Sequence, residues 1–226
     1  TSIRLKKTFR AIPKGTGVVI GCSTFPVWNT LPGVYADLIT GNPVIVKPHP
    51  RAILPIAIAV SAIQQALQEN GHDPNLCQLA ADSSEQLIAK ELCEHPEVRL
   101  IDYTGGSAFG NYVESLPGKT VFTEKAGVNS VLLHSVKDLD AVIQNLAFSV
   151  SLYSGQMCTA PQNFFIPEAG VATTEGQVSF NDVVQKFKDA IVALVSNPKM
   201  GAGTLGAVQN ENTLIRAREA QQLGGK

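Results

Sequence analysis

The chain has 226 residues, with 18 Lys and Arg against 19 Asp and Glu and a formal net charge of −1 at pH 7. So even a balance excludes nucleic-acid binding driven by bulk charge and gives no electrostatic reason to expect strongly acidic or basic partners. With 44% hydrophobic and 16% charged residues the chain can bury a sizeable core, which excludes disorder as its main state.

The sequence opens on Thr1 and closes on Leu223-Gly224-Gly225-Lys226, ends that suit a piece of a longer polypeptide. The basic start (Arg4, Lys6, Lys7, Arg10) runs into Pro13, Lys14 and Gly15, where a secretion signal would turn apolar, so a cytoplasmic location is the simpler expectation. From there short β-branched runs alternate with helical patterns, the rhythm of a parallel sheet covered by helices. Strands are predicted at Gly17 to Cys22, Pro43 to Lys47, Leu76 to Ala80 and Val98 to Tyr103, each an apolar run of the kind found in strands buried on both faces. Helices are predicted between them, from about Leu31 to Thr40 with Thr30 as the start signal, Ile53 to Asn70, and Ser84 to Glu94. The longest apolar stretch, Ala52 to Ile63, is broken by Pro55 and Ser61 and falls short of the roughly 20 residues that span a bilayer.

From Thr120 onward strands are predicted at Thr120 to Thr123, Ser130 to His134 and Asn163 to Ile166, with a second domain expected after Gly127. A helix begins near Asp138 with an apolar face of Leu139, Val142, Ile143, Leu146 and Val150; another runs from Asn181 to Val195, and a last one starts near Asn212. Glu168 to Gln177, rich in Gly and Thr, reads as a surface loop. The whole is α/β: a Rossmann-like cofactor domain over residues 1–127, then part of an α/β catalytic domain over 128–226.

Cys22, Cys77, Cys93 and Cys158 form no C-x-x-C pair and have no zinc-like spacing to His49, His72, His95 or His134, so neither a metal site nor a disulfide framework is expected. The first three sit inside strand or helix patterns and read as small buried apolar residues. Cys158 instead follows a helix and a Ser154-Gly155-Gln156 turn among polar neighbours. A nucleophilic role needs a thiolate and hence a nearby base or a favourable field. The local residues leave nucleophile and structural cysteine as equal alternatives.

The segment Gly155-Gln156-Met157-Cys158-Thr159-Ala160 is similar to the G-Q-x-C-x-A nucleophile motif of the aldehyde dehydrogenase superfamily, and Thr123-Glu124-Lys125-Ala126-Gly127 resembles its L-E-L-G-G motif. Glu124 precedes Cys158 by 34 residues, the family interval. Further similarity lies in Phe25-Pro26, in Gly41-Asn42-Pro43-Val44-Ile45-Val46-Lys47-Pro48, and in Tyr103-Thr104-Gly105-Gly106-Ser107-Ala108-Phe109-Gly110, which looks like F-T-G-S-x-x-x-G. Within the superfamily, Cys22 to Pro26, Lys47 to Arg51 and Glu124 to Asn129 look most like the phenylacetate-degradation protein N branch.

The resemblance implies a Cys158 nucleophile that attacks an aldehyde, Glu124 as the base activating the water that hydrolyses the resulting thioester, and an oxyanion held by the Cys158 backbone N–H and a second donor. Thr24 stands where the family has an asparagine for that second donor, with Ser23 or Asn29 as alternatives. It also implies Lys47 on the adenosine ribose and Gly105, Gly106 and Gly110 around the pyrophosphate of NAD or NADP. In many NAD-preferring members a glutamate follows three residues after the lysine; Pro50 holds that place here and Arg51 follows, so NADP is expected to be accepted at least as well as NAD. The branch implies a small aldehyde substrate from aromatic-acid breakdown, a CoA-linked semialdehyde, and a homo-oligomeric full-length protein. A CoA-acylating dehydrogenase is the alternative enzyme, disfavoured by Glu124, since CoA needs no water-activating base. An inactive folded module that binds cofactor only is the non-enzymatic alternative. No E-x-F-G-P motif follows Gly201, which again suggests a partial chain.

Overall fold

Thr16–Ile20 forms the first strand, β1, because Val18, Val19 and Ile20 can be buried on both faces at once. Val18 and Ile20 pack with Cys93, Val98, Ile101, Tyr103 and Val113 on one side. Val19 packs with Val34, Val44, Val46, Ile56 and Val60 on the other. The computed structural model describes residues 3–222; Thr1 and Leu223 to Lys226, whose identity suggested a longer polypeptide, lie outside the described residues. The chain divides into two compact units, the first ending at Lys125 and the second beginning at Ala126.

In the first unit β1 leads through α1 (Pro26–Ile39) to β2 (Val44–Lys47) and through α2 (Ile53–Glu69) to β3 (Cys77–Leu79). The chain then returns through α3 (Ala89–Glu94) to β4 (Val98–Gly105) and through α4 (Ser107–Glu114) to β5 (Thr120–Lys125). The sheet order is β3-β2-β1-β4-β5, and every pair is parallel. The strand order reverses between β1 and β4. In such open sheets the crevice outside the carboxyl ends of the strands at that reversal is where ligands bind.

The second unit pairs β6 (Asn129–Leu132) in parallel with β7 (Pro161–Phe165), with α5 (Leu139–Ser151) between them in sequence. A hairpin of β8 (Val171–Thr173) and β9 (Gly176–Val178) precedes α6 (Phe180–Ser196), α7 (Gly201–Thr204) and α8 (Glu211–Gln222). Asp138 caps α5 by accepting from the Ala141 N–H, and Ser179 caps α6 by accepting from the Asp182 N–H. The core here is Leu133, Leu139, Ile143, Val171 and Val183, with Phe187 against it and its ring tilted at 59° to that of Phe164, centroids 4.7 Å apart. Among the described residues no helix is long and apolar enough to cross a membrane.

Four local expectations need correction. The helix expected from Ser84 starts only at Ala89, because Ser83 Oγ accepts from the N–H groups of Glu85 and Gln86, and Asp82 Oδ2 from that of Ile88, diverting them from helical bonding. Helix α1 starts at Pro26, not near Leu31; its first residue is the proline whose missing N–H costs nothing there, and Pro32 is carried inside. Glu168 to Gln177 is mostly the β8–β9 hairpin, closed by Gly176 at φ +125° with Thr173 Oγ1 donating to its carbonyl. Cys22 lies beyond the end of β1 and is half-buried, whereas Cys77 and Cys93 are fully buried as expected.

Candidate active site

Five of the first-unit candidates sit at or next to the carboxyl ends of the strands. Thr24 follows β1, Lys47 ends β2, Gly105 ends β4, Gly106 follows it, and Glu124 is next to last on β5. A parallel sheet forces this, since each crossover returns the chain to the same end before the next strand.

Lys47 does not reach solvent as strand-end lysines usually do. Its ammonium lies 2.8 Å from Asp82 Oδ2, and the two side chains are 5% and 0% exposed. Asp82 stands in the loop after β3, where Oδ2 also accepts from the Ile88 N–H at 3.2 Å; Oδ1 is enclosed with no hydrogen-bond partner among the described residues. His49 is half-buried and held below the usual histidine range by burial first, then by Lys47 and Arg51, with Asp82 opposing. Its Nδ1 accepts from the Arg51 N–H at 3.1 Å; Pro50 is half-buried and Arg51 exposed. Sequence reasoning missed Asp82, because no periodicity marks a loop carboxylate.

The three glycines of the β4–α4 turn differ in what they do. A Cβ at Gly105 would run into the Tyr103 hydroxyl, and one at Gly110 would come within 2.6 Å of Lys125 Cδ, so both are glycine for close packing. Gly106, the residue before α4, is exposed with open space where a Cβ would stand, and no side chain caps the helix after it. That leaves the first-turn N–H groups of α4 as donors for an anionic group. These donors, Lys47 and the orphaned oxygen of Asp82 together fit a dinucleotide: backbone N–H groups for phosphate, an ammonium and a carboxylate oxygen for ribose hydroxyls.

Around Thr24, the hydroxyl is 3.8 Å from Cys22 Sγ, and Asn29 Nδ2 donates to that same sulfur at 3.2 Å. Of the alternative oxyanion donors, Asn29 is therefore engaged with Cys22. Glu124 is exposed on β5 in register with Thr104. On the same face of the neighbouring strand Asp102 is held above the usual carboxylate range by burial first and Glu124 second. Asp37, on the inner face of α1, is raised to about 6 by burial and then by Asp102. Both were overlooked in sequence, though an Asp in an apolar strand run and another on an apolar helix face were visible signals.

Cys158 belongs to the second unit, half-buried behind a turn in which Tyr153, Ser154 and Gly155 all have left-handed backbone, with φ of 51°, 59° and 70°. Non-glycine residues adopt that region at a cost, so surrounding bonds must hold the turn. Ser154 Oγ donates to the Gly206 carbonyl, Gln156 Nε2 to those of Tyr153 and Ala207, and the Gln209 N–H donates to Gln156 Oε1. Beyond the turn, Asn129 Nδ2 donates to the carbonyls of Cys158 and Ala160. The motif glutamine is thus a clamp on residues 207–209. Burial pushes Cys77 and Cys93 up to about 11, which makes both poor nucleophiles. Among the described residues no group of three or more His, Cys, Asp or Glu could hold a metal ion.

The model of the aldehyde dehydrogenase family matches residues 4–225. Among solved structures the chain is similar to the NAD-dependent aldehyde dehydrogenase from Burkholderia multivorans, with 46% identity over 93% of this chain and 38% of that one and a TM-score of 0.88. Among curated proteins it is similar to 1-pyrroline-5-carboxylate dehydrogenase of Bacillus subtilis (strain 168), 28% identical over 220 residues, 93% of this chain and 40% of the relative. The NADP-dependent glyceraldehyde-3-phosphate dehydrogenase from Bacillus halodurans, 24% identical over 81% of this chain and 35% of that one with a TM-score of 0.62, shares the fold. The chain spans about 40% of the length of the curated relative.

Proposed function

Because this chain belongs to the aldehyde dehydrogenase family, we propose that it carries the cofactor-binding and nucleophile portions of an enzyme that oxidises an aldehyde to a carboxylic acid with NAD or NADP. The first unit is the cofactor portion and the second part of the catalytic portion. What supports this reading is that the family-matched Lys47, Gly105, Gly106 and Glu124 fall together on the carboxyl edge of one parallel sheet. Support for the dinucleotide also comes from the 46% identity to the NAD-dependent aldehyde dehydrogenase from Burkholderia multivorans.

In this mechanism the Cys158 thiolate attacks the aldehyde carbon, and the carbonyl oxygen becomes an alkoxide for which the family resemblance implies the Cys158 N–H as one donor and Thr24 as the second. A nicotinamide dinucleotide would supply the hydride acceptor here, and loss of hydride from the carbon bonded to the Cys158 sulfur would leave a thioester on Cys158. Lys47 would hold the adenosine ribose and the N-terminal turn of α4 the pyrophosphate. Glu124 takes a proton from water, the hydroxide adds to the thioester carbon, and the acid leaves as the Cys158 sulfur is released. Thr24 has a shorter reach than the family asparagine, and loss of one oxyanion donor costs about 10²–10³ in rate.

The substrate we propose is a CoA-linked semialdehyde from aromatic-acid breakdown, on the branch motifs Cys22 to Pro26, Lys47 to Arg51 and Glu124 to Asn129. The curated relative's name, 1-pyrroline-5-carboxylate dehydrogenase, supplies the competing substrate. The working enzyme is a homo-oligomer. Turnover of both substrates is followed by reduced-dinucleotide absorbance, and Glu124→Gln is tested alongside. The expected result is a steady-state rate lowered about 10²–10⁴-fold with acylated Cys158 accumulating. Unchanged turnover in Glu124→Gln would move the reading to acyl transfer to CoA.

A further inference from the structure

We propose that Asp82 makes the dinucleotide site prefer NAD to NADP, supplying from the loop after β3 the carboxylate that the sequence lacks three residues beyond Lys47. The inference rests on the reading of Lys47 as the ribose-binding lysine. It reverses the nucleotide expectation that Pro50 and Arg51 gave.

The first support is charge. Lys47 and Asp82 form an enclosed pair 2.8 Å apart, so the ammonium is already neutralised where water screens least. A 2′-phosphate carries close to two negative charges at neutral pH and would have to share that ammonium with Asp82. Arg51 is exposed, and an exposed cation is screened in a way that the enclosed carboxylate is not. His49, held towards its neutral form, adds no compensating cation.

The second support is hydrogen-bond chemistry. Asp82 Oδ1 is an enclosed acceptor with no partner among the described residues, and only a donor can satisfy it. A ribose 2′-hydroxyl has a hydrogen to give. A phosphate dianion has none, so it would place acceptor against acceptor. Lys47 has three N–H donors, of which Asp82 Oδ2 takes one, leaving others for the ribose hydroxyls that NAD presents.

Calorimetric titration of the purified protein with NAD and with NADP separately, in wild type and Asp82→Asn, tests this without turnover. Wild type is expected to bind NAD about tenfold or more tightly than NADP, and Asp82→Asn to shift the ratio towards NADP by about tenfold, through tighter NADP binding. Should Asp82→Asn fail to fold with Lys47 uncompensated, the neutral pair Lys47→Gln/Asp82→Asn takes its place and is expected to bring the ratio close to one. A wild type that prefers NADP, or a ratio that none of the folded variants moves, overturns the role of Asp82 while leaving the cofactor site standing. Failure of the wild type to bind either dinucleotide overturns the cofactor reading and this inference with it.

Discussion

Asn129 donates through Nδ2 to the backbone carbonyl of Cys158 at 2.6 Å and to that of Ala160 at 3.1 Å, so one side chain pins the chain on both sides of Thr159. Asn129→Ala removes both bonds. The proposed nucleophile is then less firmly held, and a displacement of about 1 Å costs on the order of 10²-fold in rate. Iodoacetamide labelling read by mass spectrometry is expected to show altered Cys158 kinetics in the variant, with Cys77 and Cys93 unlabelled until the protein is denatured. An Asn129→Ala protein with wild-type labelling and turnover would show that the turn positions the sulfur unaided.

Asp37 lends itself to a pH test. Its folded-state value, raised from 3.8 to about 6 by burial and then by Asp102, lies above the unfolded one. Such a group favours the folded state fully below pH about 4 and loses that contribution as pH rises through about 6. Above that range an enclosed charge remains beside Asp102. Asp37→Asn is therefore expected to raise Tm at pH 8, by a free energy on the order of 3 kcal/mol at most, with the gain fading towards pH 4. Thermal melts of both proteins between pH 4 and 8 check this. A gain that is the same at both ends would reject the titration.

The two glycines around the start of α4 separate packing from binding. Gly110→Ala forces a methyl to within 2.6 Å of Lys125 Cδ, whose ammonium is fixed by Asn111 and both oxygens of Glu114, and is expected to cost about 1–3 kcal/mol of stability in a denaturant melt. Gly106→Ala meets open space at φ −71° and is expected to leave the melt unchanged while weakening dinucleotide binding in a titration. Equal effects on stability would contradict the distinction.

Much of the first unit was legible because its strands are buried on both faces and so are written as unbroken apolar runs such as Val44-Ile45-Val46. The assignment of Glu124 and Cys158 rests on a different signal, the fixed interval between them. What escaped was side-chain competition for backbone N–H groups: Ser83 and Asp82 hold off α3 until Ala89, and Thr173 helps to turn a Gly- and Thr-rich stretch into a hairpin. Asp82 escaped as a site residue because its partner lies 35 positions away, and only the pairing of β2 with β3 brings the two strand ends alongside. Cys22 was placed in a strand that ends two residues earlier, since nothing in Gly21-Cys22 marks the stop.

The pairing of β1 with β4 begins at Thr16 with Val98, so the central strand and this neighbour are separated along the chain by three helical crossovers and two further strands. Closing so long a span carries more entropy than any local contact repays, which makes the centre of this sheet a late event on the way from the ribosome to the native state. The carboxyl edge that those strands share has no counterpart in the unfolded chain. On the proposed cofactor reading, a dinucleotide bound there would act as a latch, adding its binding free energy to the finished structure alone and shielding a slowly assembled sheet from reopening.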